Sequence, residues 1–296
     1  MFLQFYGFSK KTLVICMIVL LICAFCGCTS FNNVTVEEDV YSEEFTFFVH
    51  FIDVGQGDCA LVQTEAGNIL IDAGTYDSEK DIVKYIDSLG IKEFEYGIFT
   101  HPHTDHIGSA DKILNQYKFN NIILPNAIST TPIYENMLDA IENENCEVIL
   151  GEAGKSFVLG DAVIDIFAPC SYYFTDDLNN MSIVAKLTYK DMSFLFTGDA
   201  EVFSEMEMIK HGYDLNVDVL KVSHHGSSTS SCKEFLQHVS PSVAVISVGK
   251  DNEYGHPHYE TIESLEALGT DMYVTYEVGT IMIATDGYDF SVTTEK

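Results

Sequence analysis

Thr100-His101-Pro102-His103-Thr104-Asp105-His106-Ile107-Gly108 is the stretch on which the reading of this chain turns. Three imidazoles and a carboxylate fall between His101 and His106. Ahead of them, Phe94 to Phe99 is an apolar run with strand character. Behind them, Ile107 to Tyr117 carries Ile107, Ile113 and Leu114 at helical spacing. The cluster therefore sits where a strand ends and a helix begins, the position at which open α/β structures place their chemistry. Imidazole mixed with carboxylate suits zinc and neighbouring divalent ions. His101 and His103 alternate around Pro102 and share one face of an extended turn, while Asp105 and His106 point elsewhere. One short turn can thus offer two ligands to each of two ions. A histidine-rich surface loop would explain single histidines, but not the carboxylate among them.

Outward from this stretch, strands and helices alternate as a layered α/β fold requires. Phe45 to Val54 reads as a strand, and Gly55-Gln56-Gly57-Asp58 as a tight turn that needs glycine. Cys59 to Thr64 and Asn68 to Ile71 follow as strands, the second ending at Asp72-Ala73-Gly74. Ser78 to Leu89 has a helical pattern closed by Gly90. Beyond the cluster come strands at Asn121 to Leu124, Val148 to Leu150, Phe157 to Leu159 and Val163 to Phe167, with a helix at Ile133 to Glu144. Ile183 to Tyr189 and Ser193 to Thr197 are strands, then Glu201 to Lys210 is a helix. Val217 to Val222 is a strand ending at His224-His225-Gly226. Ser227 to Ser231 can offer hydroxyls and N–H groups to an anion, or cap a helix over Cys232 to Val239. Ser242 to Val248 is a strand, Pro257 suits the first turn of a helix at Tyr259 to Leu268, and strands at Met272 to Thr275, Thr280 to Thr285 and Phe290 to Val292 complete the chain.

The pattern His-x-His-x-Asp-His resembles the central motif of the metallo-β-lactamase superfamily. Phe51-Ile52-Asp53-Val54-Gly55-Gln56-Gly57-Asp58, Thr197-Gly198-Asp199-Ala200, Leu220-Lys221-Val222-Ser223-His224-His225-Gly226-Ser227 and Tyr254-Gly255-His256-Pro257 resemble one branch of it. That branch is the hydrolase domain at the C-terminal end of the ComEC family of DNA-uptake channel proteins, and the likeness runs over about residues 46 to 294. It implies an α/β fold, the four-layered αβ/βα sandwich, with two mixed sheets face to face, helices outside and the metal turns at one edge. It also implies a site for two divalent ions, Zn2+ or Mn2+, held by His101, His103, Asp105 and His106. Asp199 matches the bridging carboxylate. Asp72 matches the first motif of the superfamily, whose aspartate orients the metal-binding loop. One of His224 and His225 matches the last histidine ligand. Adjacent side chains diverge, so one of them should be a ligand and the other should face substrate, and the sequence leaves open which.

Many members carry a third histidine for the first ion, but this chain has none between His106 and His211. Asn179-Asn180-Met181-Ser182 matches an Asn-Asn-x-Ser stretch of the ComEC branch. Either Asn180 or water completes that shell, which lowers affinity and favours manganese, or Asn179 and Asn180 simply form a structural turn. The implied reaction is hydrolysis of an anionic phosphodiester, DNA or another polymer, outside the cell. Asp105 or Asp199 would accept the proton of the attacking water. His256, or whichever of His224 and His225 is not a ligand, would serve the leaving group. A lactone, β-lactam or thioester is the alternative substrate class, although enzymes of that kind usually carry the third histidine. A surface binding lipoprotein with a degenerate site is the non-enzyme alternative.

Composition bears on these readings. Fifteen basic residues, all lysine, face 45 acidic ones, for a formal charge of −30. Nucleic-acid binding normally draws on basic side chains facing phosphates, so tight DNA binding without divalent metal is not expected. Cys59, Cys146, Cys170 and Cys232 show no Cys-x-x-Cys spacing and read as small buried apolar residues. Residues 1–28 read as a targeting segment: Lys10 and Lys11, then the uncharged run Leu13 to Phe25, then Phe25-Cys26-Gly27-Cys28, which resembles a bacterial lipobox. Lipidation at Cys28 would hold the protein at a membrane surface, outside the cytoplasm. Residues 29–44 are an acidic linker with Glu37, Glu38, Asp39, Glu43 and Glu44, and residues 45–296 form the hydrolase domain. Any role in uptake would need a partner in that machinery, which the sequence does not name.

Overall fold

Alternation along the strands decides which residues meet between the sheets. The structure, a computed structural model, describes residues 45–144, 146–170 and 177–296; the targeting segment, Cys28 and the acidic linker lie outside them. Strands β1 (Phe47–Phe51), β2 (Ala60–Thr64), β3 (Gly67–Ile71), β4 (Glu93–Ile98), β5 (Lys118–Leu124) and β6 (Glu147–Leu150) belong to one sheet. Strands β7 (Ser156–Leu159), β8 (Ala162–Ala168), β9 (Val184–Tyr189), β10 (Met192–Phe196), β11 (Val219–Lys221), β12 (Val243–Ile246) and β13 (Asp271–Val274) form the other. The chain then returns to the first sheet with β14 (Ile281–Thr285) and β15 (Phe290–Thr294), giving the order β15-β14-β1-β2-β3-β4-β5-β6 against β13-β12-β11-β10-β9-β8-β7. Each sheet is antiparallel at one end and parallel at the other, the change falling at β3 in the first and at β10 in the second.

Phe47, Val49 and Phe51 of β1 face inward and meet Ile164, Ile166, Phe194 and Phe196 of the opposite sheet in one buried cluster. The Phe51 and Phe196 rings lie 5.9 Å apart and nearly parallel. Each such buried ring contributes roughly 1.5–3 kcal/mol, so this layer, rather than the loops, holds the two sheets in register. Helices Glu79–Ser88, Ala110–Gln116 and Pro132–Asn143 cover the outer face of the first sheet through Ile82, Ile86, Ile113, Leu114 and Met137. Helices Val202–His211, Lys233–Val239 and Tyr259–Leu268 cover the second through Met208, Phe235, Leu236 and Leu265. The result is the four-layered αβ/βα sandwich. No helix among the described residues is long and apolar enough to cross a membrane.

Two local expectations change. The helix expected over Ile107 to Tyr117 is broken into Thr104–Ile107 and Ala110–Gln116. Gly108 passes so close to the backbone of Thr75 and Tyr76 that a Cβ would collide there, and Ser109 breaks the helical path. The last expected residue of the Met272 to Thr275 strand instead opens the one-turn helix Thr275–Val278, and its hydroxyl accepts from Val248 N at 3.0 Å. The parallel halves matter most for function. Asp72 follows β3, Thr100 to His106 follow β4, Asp199 follows β10, His224 and His225 follow β11, and Ser247 follows β12. Side chains far apart in sequence thus meet along one edge.

Candidate metal centre

Asp72, in the left-handed region at φ 60°, lies immediately behind the histidine turn. Its carboxylate accepts from Thr100 N at 2.7 Å and Thr100 Oγ1 at 2.8 Å, and faces His106 Nδ1 at 2.8 Å. It therefore fixes both the start of the turn and the orientation of His106, whose Nε2 points toward the centre. Gly57 is required because a Cβ there would strike the Asp105 carbonyl, which accepts instead from Asp58 N at 3.0 Å.

Asp199 is the hub. It is buried, and its backbone N–H donates to Ser182 Oγ at 3.1 Å. Its Oδ1 faces His106 Nε2 at 3.1 Å and His225 Nε2 at 3.7 Å. Its Oδ2 faces His101 Nε2 at 3.8 Å and His224 Nε2 at 3.7 Å. Asp105 Oδ2 joins the first group, 3.2 Å from His225 Nε2, and His103 Nδ1 joins the second, 3.0 Å from His101 Nε2. Of three compact donor groups among the described residues, Asp105–His106–Asp199–His225 and His101–His103–Asp199 share one carboxylate, and Asp58–Asp72–His106 lies behind them.

The turn Ser223–Gly226 separates the adjacent histidines. His224 (φ 49°, ψ 45°) and His225 (φ 53°, ψ 24°) are both left-handed, a conformation that costs non-glycine residues roughly 1–3 kcal/mol each and concentrates at functional sites. His225 goes inward, its Nδ1 2.9 Å from the Ser247 carbonyl and 3.3 Å from Asp58 Oδ1. His224 goes outward into a cavity of about 490 Å³ also lined by His103, Asp105, Asn179, Asp199, Tyr254 and His256. The sequence left open which neighbour belongs with the buried donors, and the fold puts His225 there.

Electrostatics favours positive charge at this place. Burial works against ionisation of every group and prevails at His101, which it drives well below the usual histidine range, and at Asp72, whose carboxyl it raises; at four others charged partners outweigh it. Burial lowers His106, but Asp199 and Asp72 outweigh that and hold it well above the usual histidine range. Burial lowers His225 as well, and Asp199 and Asp58 bring it up to about 10. Against the same burial cost, His106 and His225 hold Asp199 well below the usual carboxylate range, and Asp105 is held low mainly by His225 and His106. The donor set fits divalent cations on two counts. Its chemistry is imidazole and carboxylate, and the buried His106 Nε2 and Asp199 Oδ1 lie 3.1 Å apart at the centre without forming a well-aligned hydrogen bond.

Several residues that the sequence did not assign support the cluster. Asp58 is buried against Lys221 Nζ at 2.7 Å. Burial raises its carboxyl, but Lys221 and the His225 and His106 imidazoles pull it down to about 2. Lys221 also donates to the Val222 carbonyl at 2.9 Å. The available signal was a lone lysine inside the apolar strand Val217 to Val222, since a buried charge needs a partner. Glu201 was also missed; its carboxylate lies 3.3 Å from His224 Nδ1.

Asn180 requires a correction. Its Nδ2 donates to Asp177 Oδ2 at 2.6 Å and its Oδ1 accepts from Ser204 N at 3.1 Å, so both ends of the amide are committed away from the donor sets. The stretch reaches the centre through Ser182, which holds Asp199, and through Asn179, which lines the cavity. The serine run is likewise turned inward. Thr229 Oγ1 donates to Glu201, Ser230 Oγ to Ser223 O, and the N–H groups of Ser231 and Cys232 to the buried Glu205 carboxylate, which burial raises to about 7. His256 lines the cavity with a buried Nδ1 that has no partner, its backbone clamped by Asn252. His258 instead accepts from Ser228 N at 2.9 Å and precedes the helix Tyr259–Leu268.

Known proteins resemble this chain in sequence and in fold. Residues 52–250 match the metallo-β-lactamase superfamily profile. ComE operon protein 3 of Bacillus subtilis is 32% identical over 251 residues, covering 79% of this chain and 32% of that protein. Recombination protein 2 of Haemophilus influenzae is 33% identical over 225 residues, covering 74% of this chain and 26% of that protein. Competence protein ComA of Neisseria gonorrhoeae is 29% identical, covering 69% and 27%. The chain thus spans about a third or less of the length of these relatives. Among solved structures, the metallo-β-lactamase fold protein YhfI of Bacillus subtilis superposes with a TM-score of 0.55 at 11% identity, over 83% of this chain and all of that one. The chain belongs to the metallo-β-lactamase superfamily, as a hydrolase of that fold related to competence proteins.

Proposed function

We propose that this protein is a two-metal phosphodiesterase acting outside the cytoplasm. The observation that carries the reading is the division of Asp199, one carboxylate oxygen facing His106 and His225 and the other facing His101 and His224. A carboxylate shared in this way offsets the repulsion between two nearby cations. Asp105, His106, Asp199 and His225 would hold one ion, and His101, His103 and Asp199 the other, each Zn2+ or Mn2+. Once bound, such a pair activates water and stabilises charge on the attacked group.

The protein's own residues supply the rest. Asp72 and the Ser247 carbonyl keep His106 and His225 from rotating. Asp105, held ionised, lines the cavity and is placed to accept a proton from the attacking water. His224 and His256 stand with their rings 5.5 Å apart on the cavity wall and face the leaving group. No lysine is among the described residues that line this cavity, and the chain is strongly acidic. A run of phosphates would find little to hold beyond the one being cut, so chain ends and short diesters are better substrates than long duplex DNA. Export with lipidation at Cys28 would place the site on the outer face of a membrane. The competence names of the relatives motivate a partner in an uptake machinery, of unknown identity.

The test is turnover of bis-p-nitrophenyl phosphate and short oligonucleotides by the purified protein loaded with Mn2+ or Zn2+, alongside metal content by mass spectrometry. Two ions per chain, with turnover abolished in His103→Ala, is the expected result. Bound metal with no phosphodiester turnover would overturn the substrate class and turn attention to lactones and thioesters. Absence of both metal and turnover would favour a binding lipoprotein.

A further inference from the structure

Of His224 and His256, which face each other on the cavity wall, only His224 has a carboxylate behind it. Glu201 ends the loop that carries Asp199 and precedes the helix Val202–His211 in extended conformation, φ −98° and ψ 178°. A side chain at that position ordinarily caps the helix, but Glu201 makes no capping bond. Its Oε1 instead accepts from Thr229 Oγ1 at 2.7 Å and from Asn179 Nδ2 at 3.5 Å, and lies 3.3 Å from His224 Nδ1. Thr229 Oγ1 lies 3.2 Å from the same Nδ1. The helix N-terminus favours negative charge at Glu201. The backbone ties the pair together as well, since His224 N donates to Gly198 O at 3.1 Å. With Nδ1 turned to Thr229 Oγ1 and the Glu201 carboxylate beside it, His224 Nε2 is left facing the cavity and Asp199 Oδ2. His256 shares the cavity but has no such support: its Nδ1 is buried without any hydrogen-bond partner.

We propose that Glu201, steadied by Thr229, is a positioning residue that fixes the ring of His224 so that Nε2 delivers a proton to the oxygen leaving the phosphodiester. This rests on the phosphodiesterase reading and deepens it. In the step, a bond forms from the oxygen of the attacking water to phosphorus, the bond from phosphorus to the leaving oxygen breaks, and the electron pair of the broken bond stays on the leaving oxygen. The Nε2 proton passes to it, and the imidazolium becomes imidazole with its Nδ1–H still on Thr229 Oγ1, which donates in turn to Glu201. The proton that the attacking water gives up to Asp105 leaves through solvent, and His224 takes one back from solvent to restore the imidazolium, so the cycle balances. A carboxylate that orients a histidine from its far nitrogen is the same device used in nucleophile–base–orienter triads.

The experiment compares wild type, Glu201→Gln, Glu201→Asp and Thr229→Val in the full chain loaded with Mn2+. Each is assayed on bis-p-nitrophenyl phosphate, whose leaving oxygen needs no proton, and on thymidylyl-thymidine, whose leaving oxygen does. Glu201→Gln is expected to lower kcat on the dinucleotide by about 10²-fold. KM should stay unchanged, as should the rate on the nitrophenyl diester and the metal content by mass spectrometry. Glu201→Asp is expected to recover part of the loss, and Thr229→Val to show a weaker form of it. Equal losses on both substrates, or no loss on either, would overturn the proposal. Loss of bound metal in Glu201→Gln would also overturn it, making His224 a ligand instead. A wild-type protein inactive on both diesters would sink the phosphodiesterase reading first, and this inference with it.

Discussion

The two donor sets that meet at Asp199 are built differently. On one side, His106 and His225 are almost fully buried, and each has its far nitrogen engaged: His106 by Asp72 at 2.8 Å, His225 by the Ser247 carbonyl at 2.9 Å and by Asp58. Lys221 in turn neutralises Asp58. On the other side, His101 has a hydroxyl behind it, Thr100 Oγ1 at 3.2 Å, and His103 lies partly open in the cavity wall. Asn180 contributes nothing there, because both ends of its amide are bonded elsewhere. The first side is held in its binding geometry before any ion arrives. The second holds fewer protein donors and leaves room for solvent or substrate. Partners behind metal-bound histidines are worth 10–100-fold in affinity, so the buried side should bind its ion more tightly and the open side should exchange.

The strongest way to break this comparison is to remove what the two sides share. Asp199→Asn keeps the shape but loses the charge that faces both sets. Both ions are expected to be lost at ordinary concentrations, with phosphodiester turnover down by about 10³-fold or more. Retention of two ions by this variant, counted by mass spectrometry, would show that the sets are independent and that Asp199 is no bridge.

A smaller effect separates the sides. Stepwise chelation of the loaded protein is expected to remove one ion well before the other. In His103→Ala the weakly held ion should be absent from the start and the tight one retained. In Asp72→Ala the tight ion should weaken by about 10–100-fold, bringing the two affinities together. A single chelation step in wild type would erase the asymmetry altogether.

Much of this was legible in the sequence because it rests on local spacing. The His101 to His106 turn, its flanking strand and the Asp199 and His224-His225 motifs each announce themselves within a few residues. The alternation in Phe47 to Phe51 is enough to assign an inward face. What could not be read was whatever depends on backbone direction or on contacts across the sheets. The choice between His224 and His225 is made by two consecutive left-handed residues, and nothing in Ser223-His224-His225-Gly226 marks them beforehand. Asn180 looked like a donor because of its neighbours in the motif. Its fate was decided by Asp177 and by the Ser204 N–H, 24 residues away. Asp58, in the turn before β2, and Lys221, on β11 of the other sheet, form an ion pair that no local pattern encodes.

The smallest effect tests the electrostatic basis of the buried side, and it uses a histidine outside the centre. His50 is as buried as His106, on the outer face of β1, where Nδ1 meets Tyr85 Oη at 2.9 Å and no carboxylate is bonded to it. Burial pushes it down from 6.5 to about 4, whereas the carboxylates around His106 drive that residue the other way. The two differ in neighbours, not in depth. Because the folded value of His50 lies below the unfolded one, its contribution to stability is complete above pH 6.5 and is lost as the pH falls through about 4. Across that window the unfolded chain binds the extra proton, so stability should decline by up to about 1.4 kcal/mol per pH unit on account of this residue. Urea midpoints measured from pH 7 down to pH 4 are expected to fall more steeply in wild type than in His50→Gln, with the cluster's own titration common to both. Parallel slopes would mean that burial does not govern His50. The contrast with His106 would then no longer isolate the carboxylates as the reason the centre favours positive charge.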